Sequence, residues 1–304
     1  MTATPTKTST TTSAADERPL DTVSDRGKRM YRIGAVSVVI ALVLLWEIAS
    51  LLSTSEVKPG HPFVPGWEFI VRHTLVGLSD YWPGGLGVDA VADGGPHTFL
   101  GSIYAMTYQS LHTLLRLCAG FILGSVVGSL VALLISLSTW ARRLLSLPAQ
   151  IIRPFPLLAI IPLFQLWFGT ASLGAVLFIA LAVGIIFFTG VLNAVGNVPG
   201  VYLENARVLG AGPVRRYLTV VIPAIFPELQ STIMLAIGAA WTAALGAEFI
   251  GAQNGLGKIL VVAKYFSYID RMFLIGVVVV ILAALTFALA QRISRPLTAW
   301  TPDR

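Results

Sequence analysis

Charge is scarce in this sequence. Asp, Glu, Lys and Arg make up 12% of its 304 residues, and the mean hydropathy is +0.78. Soluble globular domains carry roughly 25% charged residues, so a water-soluble fold is excluded. Cysteine is nearly absent as well: Cys118 stands alone inside an apolar run, which rules out a disulfide scaffold. No G-x-x-x-x-G-K-[ST] loop is present, because Gly257-Lys258 is followed by Ile259 and Ala252 occupies the place of the first glycine. Any ATP must therefore bind elsewhere. His61, His73, His97 and His112 show no i, i+4 spacing that would suit a metal. No nucleophile elbow anchors a Ser/His/Asp set. The apolar runs also lack charge in their middles, where an ion-driven carrier normally keeps an acidic relay. Glu47, Arg153, Glu228 and Glu248 lie towards the ends of runs, where they can snorkel or pair at an interface.

What is abundant is apolar length. Residues 117–141, 154–203, 229–247 and 272–291 contain no Asp, Glu, Lys or Arg, and 33–46 is a shorter window of the same kind. About 20 helical residues cross the hydrocarbon core. The window 154–203 is therefore two spans, with the turn at Phe168-Gly169-Thr170-Ala171-Ser172. The sequence predicts an all-α, polytopic membrane helical bundle of six transmembrane helices, near 33–53, 112–137, 147–168, 173–194, 223–247 and 272–292. Period-2 alternation is missing, which excludes a barrel.

Fifteen of the twenty-one Lys and Arg residues fall on one side of such a bundle, leaving Lys58, Arg72, Arg116, Lys258, Lys264 and Arg271 on the other. Basic residues stay cytoplasmic during insertion, so both termini are expected in the cytoplasm. The net charge of +6 is then an insertion signal, and nucleic acid is not an expected partner. Residues 1–32 read as a disordered cytoplasmic tail, with seven threonines in the first twelve positions. Segment 33–53 is an anchor rather than a signal peptide. The Gly/Pro-rich loop 54–107 and the tail 293–304 flank a core at 108–292.

Within that core, the loop 196–222 is too long for a simple connection. Pro199 suits a first helical turn, Glu204 and Arg207 form an i, i+3 pair, and Gly210 with Gly212-Pro213 ends the helix. This short helix either transmits force from a partner or lies on the membrane surface. Gly120, Gly124 and Gly128 make a small-residue stripe, suited to close helix packing or to lining a pore. Pro154, Pro156 and Pro162 bend or start the third span, where a kink could border a translocation path.

Glu204-Asn205-Ala206, Gly210 six residues after the glutamate, and Val220-Val221-Ile222-Pro223 resemble the EAA signature of inner-membrane permease subunits of bacterial ABC importers. His112 to Phe121, Arg153-Pro154-Phe155-Pro156, Ile161-Pro162-Leu163, Trp167-Phe168-Gly169, Ala247-Glu248 and Gly255-Leu256-Gly257 are similar, in order, to the sulfonate/taurine/nitrate type. The resemblance spans about 108–292; Asn205 replaces the usual second alanine, and Val220 stands where isoleucine is common. It implies the type I ABC importer permease fold and a non-catalytic subunit without its own cofactor, ATP and Mg2+ residing on a separate ATPase chain. It also implies a second permease copy, an extracytoplasmic solute-binding protein, and a small, often anionic solute. Glu204, Asn205, Ala206, Arg207 and Gly210 become the ATPase-coupling helix and Pro223 the bend into the fifth span. An ion-gradient-driven carrier or channel, or a membrane-embedded enzyme, are the competing classes.

Overall fold

The computed structural model describes residues 25–53, 55–152, 156–169, 171–249 and 251–294. The expectations for 1–24, for 295–304 and for Arg153, Pro154 and Phe155 lie outside these residues. Two compact units are present, divided after Leu52. The first is helix α1, Asp25–Leu52. It starts eight residues before the expected Ile33, so part of the segment read as a tail is helical.

The second unit begins with a two-stranded antiparallel hairpin, β1 (Glu56–Lys58) and β2 (His61–Pro62), an addition to the all-helical expectation. Short helical turns follow over 67–81. The main helices are α2 (Phe99–Ser136), α3 (Thr139–Ile152), α4 (Ile161–Phe168), α5 (Ser172–Asn197), α6 (Gly200–Val208), α7 (Pro213–Phe249), α8 (Leu256–Tyr265) and α9 (Ile269–Ser294). Among the described residues four of these, α2, α5, α7 and α9, are long and apolar enough to cross a membrane, and Val36–Leu52 and Leu157–Phe168 are shorter apolar helical segments.

Three boundaries differ from the sequence reading. α2 begins at Phe99, capped by the Thr98 hydroxyl accepting from the Gly101 N–H at 3.0 Å, so it emerges well beyond the apolar window that betrayed it. The expected third span, 147–168, is divided: α3 ends at Ile152, and after the undescribed residues a 3-10 turn at Leu157–Ile160 leads into α4. The fifth span, expected from 223, starts earlier: α7 runs from Pro213 through a π-helical turn at Tyr217–Val221.

The bundle core is built largely from small residues. α5 lies along α2 and α7, and Ala236, Ala240, Ala243, Ala244 and Ala247 of α7 are all buried with Phe178, Ile179 and Val183 of α5 and Leu117 of α2. Lipid is as apolar as these side chains, so close backbone approach and dispersion hold the helices together. A second cluster, Ala132, Val191, Val195, Val221 and Ile225, closes the end at which α5 meets α6. A third, Leu78, Leu256, Ile259 and Ile275, binds the turns of the first loop to α8 and α9.

Candidate functional site

The residues singled out in the sequence fall at opposite ends of the bundle. At one end, α6 projects beyond α5. Pro199 is its N-cap residue, one position ahead of the first helical turn. At its other end Gly210 adopts φ +77°, and the Gly210 N–H donates to Arg207 O and the Ala211 N–H to Ala206 O, both at 3.0 Å. That pair of bonds is a Schellman cap, which demands a left-handed residue and favours glycine. A Cβ on Gly210 would meet no atom within 4 Å. Its importance within this chain is therefore backbone conformation.

α6 has two faces. Ala206 is buried, and Leu203 packs on the cluster of Val191, Val195 and Tyr217. Val201, Tyr202, Val208 and Leu209 are exposed, the last two at 86%. Glu204, Asn205 and Arg207 are exposed beside them. Glu204 and Arg207 do not form the expected ion pair among the described residues. The segments on either side of the α6 knob are tied into the bundle by the Tyr217 hydroxyl of α7, which donates to Ser136 O at the end of α2, and by Asn197 Nδ2 of α5 donating to Glu228 Oε1 of α7 at 2.7 Å. Pro223 lies in α7 directly after the π turn. It cannot donate to the carbonyl one turn back, and its ring crowds that carbonyl, which favours the local widening.

The other end contains a polar network that sequence reasoning did not assemble. Arg116 on α2 and Glu248 on α7 are 6% and 1% exposed, and Arg116 Nη1 donates to Glu248 Oε1 at 2.8 Å. Arg116 also donates from Nη1 to Asn254 O at 2.6 Å, and from Nε and Nη2 to Ser172 Oγ at 3.2 and 3.1 Å. Glu248 Oε2 accepts from Thr113 Oγ1 at 2.9 Å and from the Gly257 N–H at 3.0 Å. The two N–H groups before it in that turn are held too: Gly255 donates to Gln109 Oε1 at 2.7 Å and Leu256 to Thr113 Oγ1 at 2.9 Å. The orphan donors at the start of α8 are thus satisfied by side chains of α2 and α7, with a carboxylate at the positive end of the helix dipole.

The two glycines of Gly255-Leu256-Gly257 are required by this fit. Gly255 has φ +114°, and a Cβ there would collide with the Glu248 carboxylate; a Cβ on Gly257 would lie 2.5 Å from Glu248 Cβ. Glu248, read from the sequence as an interfacial charge, is instead buried against a partner from another helix. The signal lay in the sequence as separate pieces: Arg116 in the run from His112, Glu248 after Ala247, and the Gly-Leu-Gly turn. Nothing in one dimension showed that they meet. A small cleft opens beside Arg116, lined by Phe164, Gln165, Ser172, Phe178 and Ala247 among others. Gln109 Nε2 also donates to Tyr81 O at 3.0 Å, which ties the first loop into the same end. Burial pushes the Tyr81 phenol above its ordinary range despite Arg271 above its ring.

Between the two ends, Gly120, Gly124 and Gly128 face α5. Methyl groups added at these positions would strike Ile179, Ala180 O and Gly184 O respectively. The stripe is where α2 and α5 touch, so it does not line an open path. Pro156 caps the 3-10 turn at Leu157–Ile160, and Pro162 occupies the first turn of α4; both are exposed. α5 links the ends: Ser172 belongs to the Arg116 network and Asn197 to the base of the knob. At 1.5 Å per residue these lie about 38 Å apart.

A family model, described as binding-protein-dependent transport system inner membrane component, matches residues 124–298. The chain is 30% identical over 185 residues to a Bacillus subtilis (strain 168) protein assigned by its name to aliphatic sulfonates transport, the permease protein SsuC, covering 61% of this chain and 67% of that one. It is 30% identical over 208 residues to the taurine transport system permease protein TauC of Escherichia coli (strain K12), covering 68% and 74%. Among solved structures, an inward-facing form of the MetNI methionine ABC transporter superposes with a TM-score of 0.54 at 24% identity, covering 62% of this chain and 94% of that one. At that identity the likeness concerns the fold.

Proposed function

The chain belongs to the binding-protein-dependent transport system inner membrane component family, as the EAA resemblance implied, and from that premise we propose that it is the permease subunit of an ATP-driven importer of a small, anionic solute. Sulfonates, taurine and nitrate define the solute class, supported by the relatives named for sulfonate and taurine transport. The permease is a non-catalytic, multi-pass membrane subunit. It works with ATPase subunits that carry ATP and Mg2+, with an extracytoplasmic solute-binding protein, and with a second copy of itself. Both termini lie in the cytoplasm, as does α6, while the Arg116–Glu248 network lies at the extracytoplasmic end.

The observation that carries this reading is α6. A helix of nine residues, too short to be stable alone, is capped at its C-terminus and anchored through Leu203, Ala206 and Tyr217, yet presents Val201, Tyr202, Val208 and Leu209 to solvent. Exposed apolar side chains at both ends of α6, with the exposed Glu204, Asn205 and Arg207 between them, suit a partner site. In the proposed cycle it seats in a groove of the ATPase, and closure of the ATPase pair on ATP draws the two α6 helices together. That movement passes along α5 and α7 and switches the bundle from inward-facing to outward-facing.

The test is uptake into proteoliposomes holding permease, ATPase and binding protein. Glu204→Ala and Gly210→Ala should each lower solute transported per ATP hydrolysed. Undiminished transport in both variants, or uptake that follows an imposed ion gradient without ATP, would remove the reading.

A further inference from the structure

Residues 82–90 form a turn whose backbone is unusually constrained. Gly85 and Val88 exchange both backbone hydrogen bonds, at 3.1 and 3.0 Å. Trp82, 8% exposed, donates from its indole Nε1 to Val88 O at 3.0 Å and packs against Tyr104 and Tyr108 of α2 at centroid separations of 5.4 and 6.0 Å. The turn is thereby fixed to the rigid end of α2, and Gln109 joins the adjoining Tyr81 to the Gly255 turn. The whole assembly lies at the end of the bundle opposite α6.

Four consecutive residues of this turn have positive φ: Gly84 at +91°, Gly85 at +117°, Leu86 at +53° and Gly87 at +79°. Three are glycines, which adopt this region without steric penalty. The fourth is leucine, whose Cβ disfavours it. A non-glycine held there is either repaid by packing or kept for function. Packing within the chain does not repay it, because Leu86 is 79% exposed. A leucine is thus held out to solvent, in a conformation glycine would satisfy better, at the tip of a braced turn.

Charge selects the occupant. From His73 to Leu115 the sequence contains no Lys or Arg, while Asp89 and Asp93, close to Leu86 in sequence, are exposed; Asp80 is paired with Arg271 at 2.8 Å and adds no free charge. Such a surface is repelled by anionic lipid headgroups and suits a protein that offers cations. The turn lies ahead of the residues that the family model matches, 124–298. Resting on the importer reading above, we propose that Leu86 is the anchor by which this permease recognises its own solute-binding protein, through an apolar socket rimmed by Lys and Arg on that partner. Rigid presentation lowers the ordering entropy of docking, and a central apolar anchor within a charged rim is how such interfaces concentrate affinity.

The experiment uses the complete transporter in nanodiscs, titrated with the purified solute-binding protein of its own system, with ATP hydrolysis as readout. Leu86→Ala and Leu86→Asp should raise the half-stimulating concentration roughly tenfold or more, leaving basal hydrolysis and maximal stimulation unchanged. Leu86→Gly discriminates further. It relieves the backbone, so thermal stability should hold or rise, yet docking should weaken as in Leu86→Ala; a merely structural leucine would not part these two readouts. Asp89→Asn with Asp93→Asn should reduce the salt dependence of docking. An unchanged half-stimulating concentration in Leu86→Asp, with wild-type stimulation intact, overturns the anchor alone. If wild-type transporter is not stimulated at all, the importer reading fails and takes the anchor with it. Bimane attached at Leu86→Cys, quenched by nitroxide lipids and not shielded by the binding protein, would assign the leucine to the bilayer and overturn the proposal.

Discussion

The guanidinium of Arg116 and the carboxylate of Glu248 meet at 2.8 Å between α2 and α7, with both side chains nearly shielded from solvent. Each is saturated by further partners: Asn254 O and Ser172 Oγ for the arginine, Thr113 Oγ1 and the Gly257 N–H for the glutamate. The pair ties together α2, α7, the start of α5 and the start of α8. Since neither charge is left unmatched, it behaves as a structural joint at the end remote from α6.

Breaking this pair on one side should cost more than removing it whole. A lone buried charge destabilises by about 3–5 kcal/mol, whereas a hydrophobic replacement of both partners is often nearly neutral. Arg116→Met and Glu248→Met should therefore each lower the thermal midpoint of the detergent-solubilised protein sharply, and the double variant should recover part of the loss. Recovery will be incomplete because the Gly257 N–H loses its acceptor. Single effects that simply add in the double variant would show that the two groups are not coupled.

Two glycine substitutions should act with opposite sign. A methyl at Gly124 meets Ala180 O, and lies 2.9 Å from Val183 Cβ and 3.0 Å from Ala180 Cα, none of which can swing away. Gly124→Ala should force α2 from α5 at a cost of about 1–3 kcal/mol. A methyl at Gly196, in the last turn of α5, meets nothing within 4 Å, so Gly196→Ala should be neutral or stabilise by up to about 1 kcal/mol. Urea or thermal unfolding of the two variants side by side would show it; equal losses would mean that the stripe is not an interface.

How much of this was legible in the sequence depended on whether the physics was local. Apolar length, the helical period and the cap at Gly210 act between neighbours along the chain, so α5, α9 and the end of α6 could be read directly. The Arg116–Glu248 joint is set by residues 132 positions apart; Glu248 looked like an end-of-span charge at an interface, and Arg116 only like one of the basic residues on the side away from the termini. The start of α2 at Phe99 was hidden because its first turns are amphipathic and pack on the preceding loop. Hairpin β1–β2 is short and held through one register irregularity, too little for a period-2 pattern to emerge. Continuity of α7 ran against the usual effect of proline, since a π turn absorbs Pro223 without ending the helix.

Gly210 offers a test that separates shape from contact. Its φ of +77° is tolerable for glycine and, less readily, for asparagine, while alanine is strained by about 1 kcal/mol or more. Open space around it excludes an internal clash. Gly210→Ala should therefore fray α6 and reduce ATP-coupled uptake, and Gly210→Asn should restore most of it. If asparagine is as damaging as alanine, the position matters for close contact with the ATPase and not for the left-handed cap.

Pro223 sets the rotational phase of the knob's support. The π turn at Tyr217–Val221 adds one residue to a helix that otherwise runs through α7, and the Ile222 N–H closes it onto Tyr217 O. With alanine at 223 the missing N–H returns and the crowding of the preceding carbonyl ends, so an ordinary α-helical turn becomes available. Converting π to α rotates everything before it by about 100° relative to α7. Tyr217 would then swing away from Ser136 O, its contact at the end of α2, and α6 would lose its orientation. Pro223→Ala should accordingly leave the bundle folded and the complex able to hydrolyse ATP, while uptake per ATP falls. Hydrogen exchange should rise at 213–221 and stay unchanged in 229–247. Wild-type coupling together with unaltered exchange at 213–221 would mean that the π turn persists without the proline and that packing of Val221 and Ile225, not the ring, maintains it.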